Sequence, residues 1–180
     1  MNKKNFLFVY SSMMIGGSTT SLLSLLNAIE YDKYNVDLLL YDHNGPLMEF
    51  IPSQVNVLPP ANRCNNRFER VAKMLFSGYL TKSIWDHFKY RKRFGWMSQD
   101  LSFAKNATCR RLDKKYDVAV GGLELWPNAY VNEMVEAEVK FLWIHTDYSK
   151  TSYIPELEEW SLKKSDYVVC VSDVLTEQFA

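Results

Sequence analysis

NFLFVYSSMMIGGSTTSLLSLLNAI, residues Asn5 to Ile29, is the stretch on which the fold turns. It opens with a short apolar run, Phe6 to Tyr10, long enough for one strand and far too short to span a bilayer. Beyond Ser11 and Ser12 come the adjacent glycines Gly16 and Gly17, then the hydroxyl residues Ser18, Thr19 and Thr20. From there Leu22, Leu25, Leu26 and Ile29 recur at helical spacing. Ser18 or Thr19 is the expected N-cap of that helix, since a hydroxyl there can accept from a free backbone N–H. A buried strand, a glycine turn and a helix form the first β–α unit of an α/β sheet.

Five further runs repeat the strand signal: NVDLLLY, VNVL, YDVAV, VKFLWIH and DYVVCVS. Most are continuously apolar and β-branched, the pattern of parallel strands covered on both faces. Helical patterns lie between them. Two or three helices are expected from about residue 67 to 114, one over Asn128–Glu138, one over Pro155–Lys164, and another from Asp173 onward. Alternating strands and helices predict a Rossmann-like, three-layer α/β domain with a mostly parallel sheet. The expectation is a single domain over residues 1–180, with the helix begun at Asp173 continuing beyond it.

Hydrophobic residues make up 47% of the chain, enough for a sizeable core. The short basic start reads as a first strand rather than a signal peptide. Cys64, Cys109 and Cys170 are odd in number and lack C-x-x-C spacing, which argues for reduced thiols in a cytoplasmic protein and no metal site. The formal net charge of zero hides an asymmetry. Between Arg63 and Lys115 stand fourteen Lys/Arg against four Asp/Glu, a net +10 balanced by −10 elsewhere. Such a stretch favours an anionic partner: a membrane surface, nucleic acid or a phosphorylated ligand. Within it, Trp85, Lys89, Arg91, Lys92 and Arg93 interleave aromatic and basic side chains, as a helix docking on anionic lipid does. Nucleic-acid binding is the weaker alternative, because it leaves the glycines and His145 without a role.

Ligands of open α/β sheets sit outside the carboxyl ends of the strands, where helix N-termini present free N–H groups. Three segments fall there. Gly16 and Gly17 would let the backbone turn and approach a ligand closely, with Ser18 adding a donor. The spacing matches neither the dinucleotide fingerprint nor the P-loop. VGGLELWPNAYV brings Glu124 and Trp126; Trp126 by itself reads as a core residue. KFLWIHTDYSK places His145 and Asp147 just past a strand, where an imidazole can orient a hydroxyl or accept a proton.

Taken together, the glycine loop, NGPLMEFIPSQVNVLP, YDVAV with its G-x-x-x-W-P loop, WIHTDY and YVVCVSD resemble the N-terminal domain of a family 4 glycosyltransferase of the bacterial surface-polysaccharide type. The resemblance covers essentially the whole chain and implies the first half of a GT-B fold. It implies retaining transfer of a sugar from a nucleotide-sugar to an acceptor, without metal or other cofactor. By position, Gly16, Gly17 and Ser18 match the loop against the donor diphosphate, and His145 the catalytic-cleft histidine. Glu124, Trp126, Asp147 and Ser172 match acceptor-side positions. The basic, aromatic segment matches membrane-docking helices, which implies a cytoplasmic enzyme peripheral to the inner face of the membrane with a sugar or lipid-linked sugar acceptor. Such enzymes hold the nucleotide through a C-terminal domain in which two glutamates stand eight positions apart. No two glutamates here have that separation, so the donor domain is expected to be absent and the domain inactive alone. The rival reading is a non-catalytic Rossmann-like module that recruits a partner to membrane.

Overall fold

A computed structural model describes residues 3–78, 85, 96–151 and 153–179. Its core is one six-stranded sheet in the order β3-β2-β1-β4-β5-β6, every pairing parallel. β1 (Lys4–Tyr10) lies at the centre, between β2 (Tyr34–Leu40) and β4 (Tyr116–Gly121). Its register is Phe8 beside Leu38 and Val120. β3 (Asn56–Val57) closes one edge; β5 (Ala137–Ile144) and β6 (Tyr167–Cys170) extend the other. This is the doubly wound order, and β1 and β4 are the neighbours at which it reverses.

The continuously apolar strands are explained by the two layers that cover them. On one face Phe8, Tyr10, Val36, Leu38, Leu40 and Val120 pack against Leu22, Leu23 and Leu26 of α1 (Gly17–Ala28). On the other, Leu7, Val9, Leu39, Ala119 and Leu142 pack against Trp126, Tyr130 and Val131 of α4 (Trp126–Met134). Each fully buried leucine contributes about 1.5–3 kcal/mol relative to exposure. Asp37 faces this second layer from mid-strand and is buried, yet it accepts from Lys114 Nζ (2.9 Å), Tyr116 Oη (2.8 Å) and Asn56 Nδ2 (2.8 Å). Those three donors offset the desolvation of its charge.

The remaining elements are α2 (Arg67–Phe76), α3 (Trp96–Ala104), α5 (Pro155–Leu162) and α6 (Asp173–Phe179), with short 3₁₀ turns at Pro46–Phe50, Lys105–Thr108 and Tyr148–Lys150. Among the described residues no helix is long and apolar enough to cross a membrane. Two expected boundaries are corrected. The first helix begins at Gly17 with Gly16 as its N-cap and no side-chain cap, so neither Ser18 nor Thr19 takes that role. The helix expected over Asn128–Glu138 runs from Trp126 to Met134. Val135 turns extended so that Ala137 can pair with Tyr116 and begin β5. Sheet pairing overrides the local helical pattern there.

The loop after β2 is clamped onto the loop after β1. Met13 N–H donates to Asn44 O (2.9 Å), Leu47 N–H donates to Met13 O (3.0 Å), and Gly45 between them has φ +109°. A Cβ on Gly45 would lie 2.2 Å from the Met13 carbonyl carbon and oxygen. Both the dihedral and the contact exclude a side chain. Gly45→Ala is therefore expected to cost about 2–4 kcal/mol in urea unfolding. A midpoint equal to wild type would show that the clamp gives way.

Candidate functional site

At the carboxyl edge of the β1–β4 reversal, two of the expected residues, Ser18 and Glu124, come together around one tyrosine. Tyr10 ends β1, is 2% exposed, and is adjacent to Gly122 just past β4. Gly122 N–H donates to Val9 O (3.0 Å), and a Cβ there would meet the Tyr10 ring at 2.8 Å. Gly121 is equally constrained, because a Cβ would stand 2.3 Å from Asn128 Oδ1. Glycines 121 and 122 thus let α4 and Tyr10 close onto the end of β4. The Tyr10 hydroxyl is buried beside the hydroxyls of Ser18 and Thr19. Burial pushes its pKa up, those hydroxyls oppose the shift, and the nearby Glu124 carboxylate adds to it.

Gly16 and Gly17 differ from this pattern. Gly16 is extended (φ 179°), neither glycine has positive φ, and nothing lies within 4 Å of a Cβ built on either. The unusual dihedrals expected of them are not found. The chain's own conformation and packing demand no glycine at these positions, and the absent side chains leave the backbone there open to close approach. Without a capping side chain, the first N–H groups of α1 are left to outside acceptors.

Glu124 (7% exposed) lies in the loop between β4 and α4 and turns its carboxylate to the end of β5, accepting from the backbone N–H of His145 (3.0 Å). It fixes the main chain that carries the imidazole. The His145 ring tilts against Trp143, centroids 5.7 Å apart, and its Nε2 is buried with no hydrogen-bond partner. Trp126, at the start of α4, is turned into the core rather than onto the surface of this edge. It is 0% exposed, packed edge-on to Tyr41 (5.0 Å) and beside Tyr130 (5.3 Å), so it cannot stack on a ligand. Asp147 caps the 3₁₀ turn Tyr148–Lys150 through Ser149 N–H (2.9 Å) and pairs with Lys150 (3.3 Å). Ser172, past β6, accepts from Leu175 N–H (3.4 Å) at the start of α6. Both side chains already serve their own turns. Trp85 is exposed, while Lys89, Arg91, Lys92 and Arg93 lie outside the described residues.

Two residues of the edge carry no sequence signal. Tyr10 reads as one more strand aromatic. Glu158 is one of three glutamates in PELEEWSL, and only packing turns it inward, 1% exposed. Its Oε1 accepts from the N–H of Leu125, while its Oε2 is buried and unpaired. Leu125 has φ +68°, the one non-glycine residue in the left-handed region among the described residues. Glu158 therefore holds a strained turn beside Glu124. Burial, opposed by the Leu125 N–H and reinforced by Glu124, raises its pKa to about 8.

No three His, Cys, Asp or Glu side chains among the described residues are grouped to hold a metal ion. Two open depressions of about 300 Å³ lie at the opposite, amino edge of the sheet, beside Lys115 and Glu136 and between Arg111 and Lys140. That is the wrong end for a ligand of a parallel sheet. Comparison of the sequence with known protein families and with curated proteins gives no match.

Because the folded pKa of Glu158 lies above its usual 4.5, the folded state binds the extra proton and stability falls as pH rises from about 4.5 to about 8. Glu158→Gln keeps the acceptor for Leu125 and removes the titration. Its melting temperature should match wild type near pH 4.5 and exceed it above pH 8. Parallel melting curves across that range would contradict the assignment.

Proposed function

We propose that this domain is the N-terminal, acceptor-side half of a retaining glycosyltransferase that moves a sugar from a nucleotide-sugar to a sugar or lipid-linked sugar acceptor in surface-polysaccharide synthesis. The observation that carries the reading is the meeting, at the reversal of strand order, of the uncapped amino end of α1 with the Glu124–His145 hydrogen bond. On this reading, the free N–H groups and the positive end of the α1 dipole face the donor diphosphate and lower the energy of its charge as the sugar leaves. The absence of a Cβ at Gly16 and Gly17 admits the phosphates to the backbone. His145 sits across the edge to orient the transferred sugar or the attacking hydroxyl, and Glu124 holds the main chain from which it projects. Ser172 and Asp147 shape the rim through the turns they cap. The nucleotide itself would be held by a second α/β domain facing this edge, so the single domain does not turn over.

Nucleotide-sugar titration of isotope-labelled protein tests this. UDP-, GDP- or ADP-glucose should shift the amides of Gly16, Gly17 and Ser18. Gly17→Val should abolish those shifts while costing under about 1 kcal/mol, since nothing surrounds a Cβ there. The same panel should yield no glycosyl transfer. Absence of shifts at these amides would remove the diphosphate assignment, and clear turnover would remove the claim that a second domain is needed.

The same reading places the domain peripherally on the anionic, cytoplasmic face of a membrane. α2 supports it: Phe68, Val71 and Leu75 form an exposed apolar stripe at helical spacing, with Arg67, Arg70 and Lys73 on the same helix. Replacing Arg91, Lys92 and Arg93 together by Ser should weaken sedimentation with anionic vesicles roughly a hundredfold, at about 1 kcal/mol per charge. Unchanged binding would sink the lipid reading.

A further inference from the structure

At the carboxyl end of β2, two cations converge on one buried aromatic ring with too little negative charge beside them. Tyr41 is 4% exposed and its hydroxyl is bonded to Thr108 Oγ1 (3.0 Å). The guanidinium carbon of Arg70, on α2, lies 5.6 Å from the ring centroid, and the ammonium of Lys105 lies 4.9 Å from it. Among the described residues the one carboxylate in reach is Asp42, 4.0 Å from Arg70 and already accepting from Asn62 Nδ2 (3.1 Å). Among the described residues Lys105 has no ion-pair partner and Arg70 Nε is buried without a hydrogen bond. Burial pushes the Lys105 pKa down; Asp42 opposes this and Arg70 adds to it.

The Arg70 side chain stays 38% exposed, so both cations are only partly desolvated; the ring quadrupole offers each about 0.5–2 kcal/mol while their like charges repel. Such a pair persists at a cost that a dianion would remove. We propose that Arg70 and Lys105, braced on Tyr41, form a subsite for a phosphate or diphosphate group. The subsite holds unused donors on two separate elements, so one phosphoryl group can bridge them. Exposed Arg63, tied to the same 3₁₀ turn by its N–H to Thr108 O (2.9 Å), adds positive charge at the rim. The subsite opens on the same sheet edge as Gly16 and His145, two strands from β4. If the transfer reading holds, on which this last step rests, the acceptor is a phosphorylated sugar or a sugar diphosphate whose anion sits here while its hydroxyl faces His145.

Inorganic pyrophosphate is the probe. Titrated into labelled protein, it should shift the amides of Tyr41, Lys105 and Thr108. Arg70→Gln and Lys105→Met should each weaken binding about ten- to a hundredfold, and Lys105→Arg should restore it. Lys163→Gln, on the far α5, should bind as wild type. Removing a half-buried cation leaves no acceptor unpaired, so Lys105→Met is expected to melt no lower than wild type. Shifts confined to Gly16–Ser18 would overturn this subsite while supporting the donor reading. Shifts at Tyr41 and Lys105 alone would support the subsite without the donor reading. Equal binding by Lys105→Met and wild type, or an equal loss in Lys163→Gln, would overturn the subsite. Phosphatidylcholine vesicles containing phosphatidic acid separate the two sources of the group. Weakened sedimentation of Lys105→Met identifies a lipid headgroup, and unchanged sedimentation beside lost pyrophosphate binding identifies a soluble phosphoryl compound.

Discussion

β1 is hydrogen-bonded in parallel on both sides, and the rest of the molecule is arranged around that double pairing. A strand so placed has no exposed edge and no exposed face, so its side chains must alternate between two helical layers: Leu7 and Val9 to one, Phe8 and Tyr10 to the other. Because each parallel neighbour must return through a crossover, all six strands end on one side of the sheet. The chain leaves β1 toward β2 and later returns to β4 on the opposite flank. The loops after β1 and β4 therefore diverge, and the crevice between them follows from strand order alone.

Polar side chains at that edge act mainly on backbone. Glu124 takes the N–H of His145, Glu158 that of Leu125, Asp147 that of Ser149 and Ser172 that of Leu175. Loops beyond strand ends leave N–H groups that neither sheet nor helix can satisfy, and buried ones must find acceptors. Two of these acceptors are buried glutamates in adjacent elements, so their charges cannot both be cheap. Burial, with the Glu124 carboxylate adding to it, pushes the Glu158 pKa up to about 8. Rigidity of the His145 loop is thus obtained at the cost of two buried carboxylates behind it.

The basic third of the chain is also divided by its surroundings. Lys114 is spent on Asp37 and Arg110 donates to Pro59 O, both within the domain. Lys73 pairs with Glu69 along α2. Arg70, which also reaches Asp42, and Lys105 are drawn to Tyr41 because α2 packs against the 3₁₀ turn that follows α3. Composition reports only that positive charge is concentrated here; pairing decides which of it is available to a ligand.

Strand positions, their parallel character and the α/β class were legible in the sequence, since doubly covered strands must be continuously apolar. NFLFVY, YDVAV and VKFLWIH became central strands for that reason. The helix expected to run to Glu138 stopped at Met134 because pairing of Ala137 with Tyr116, a non-local bond, outweighed local preference. Trp126 followed its bland reading into the core, where Tyr41 and Tyr130 hold it. Five glycines of similar appearance in the sequence also separated by role. Gly45, Gly121 and Gly122 are required by contacts under 3 Å with Met13, Asn128 and Tyr10, while Gly16 and Gly17 face open space. The elements and their burial are local and periodic properties, and they follow from the order of residues alone. Which glutamate of α5 faces inward, which cations gather on Tyr41 and which glycines the fold itself requires were set by folding. Each of those depends on atoms brought together from distant parts of the chain, and no spacing along one segment encodes them.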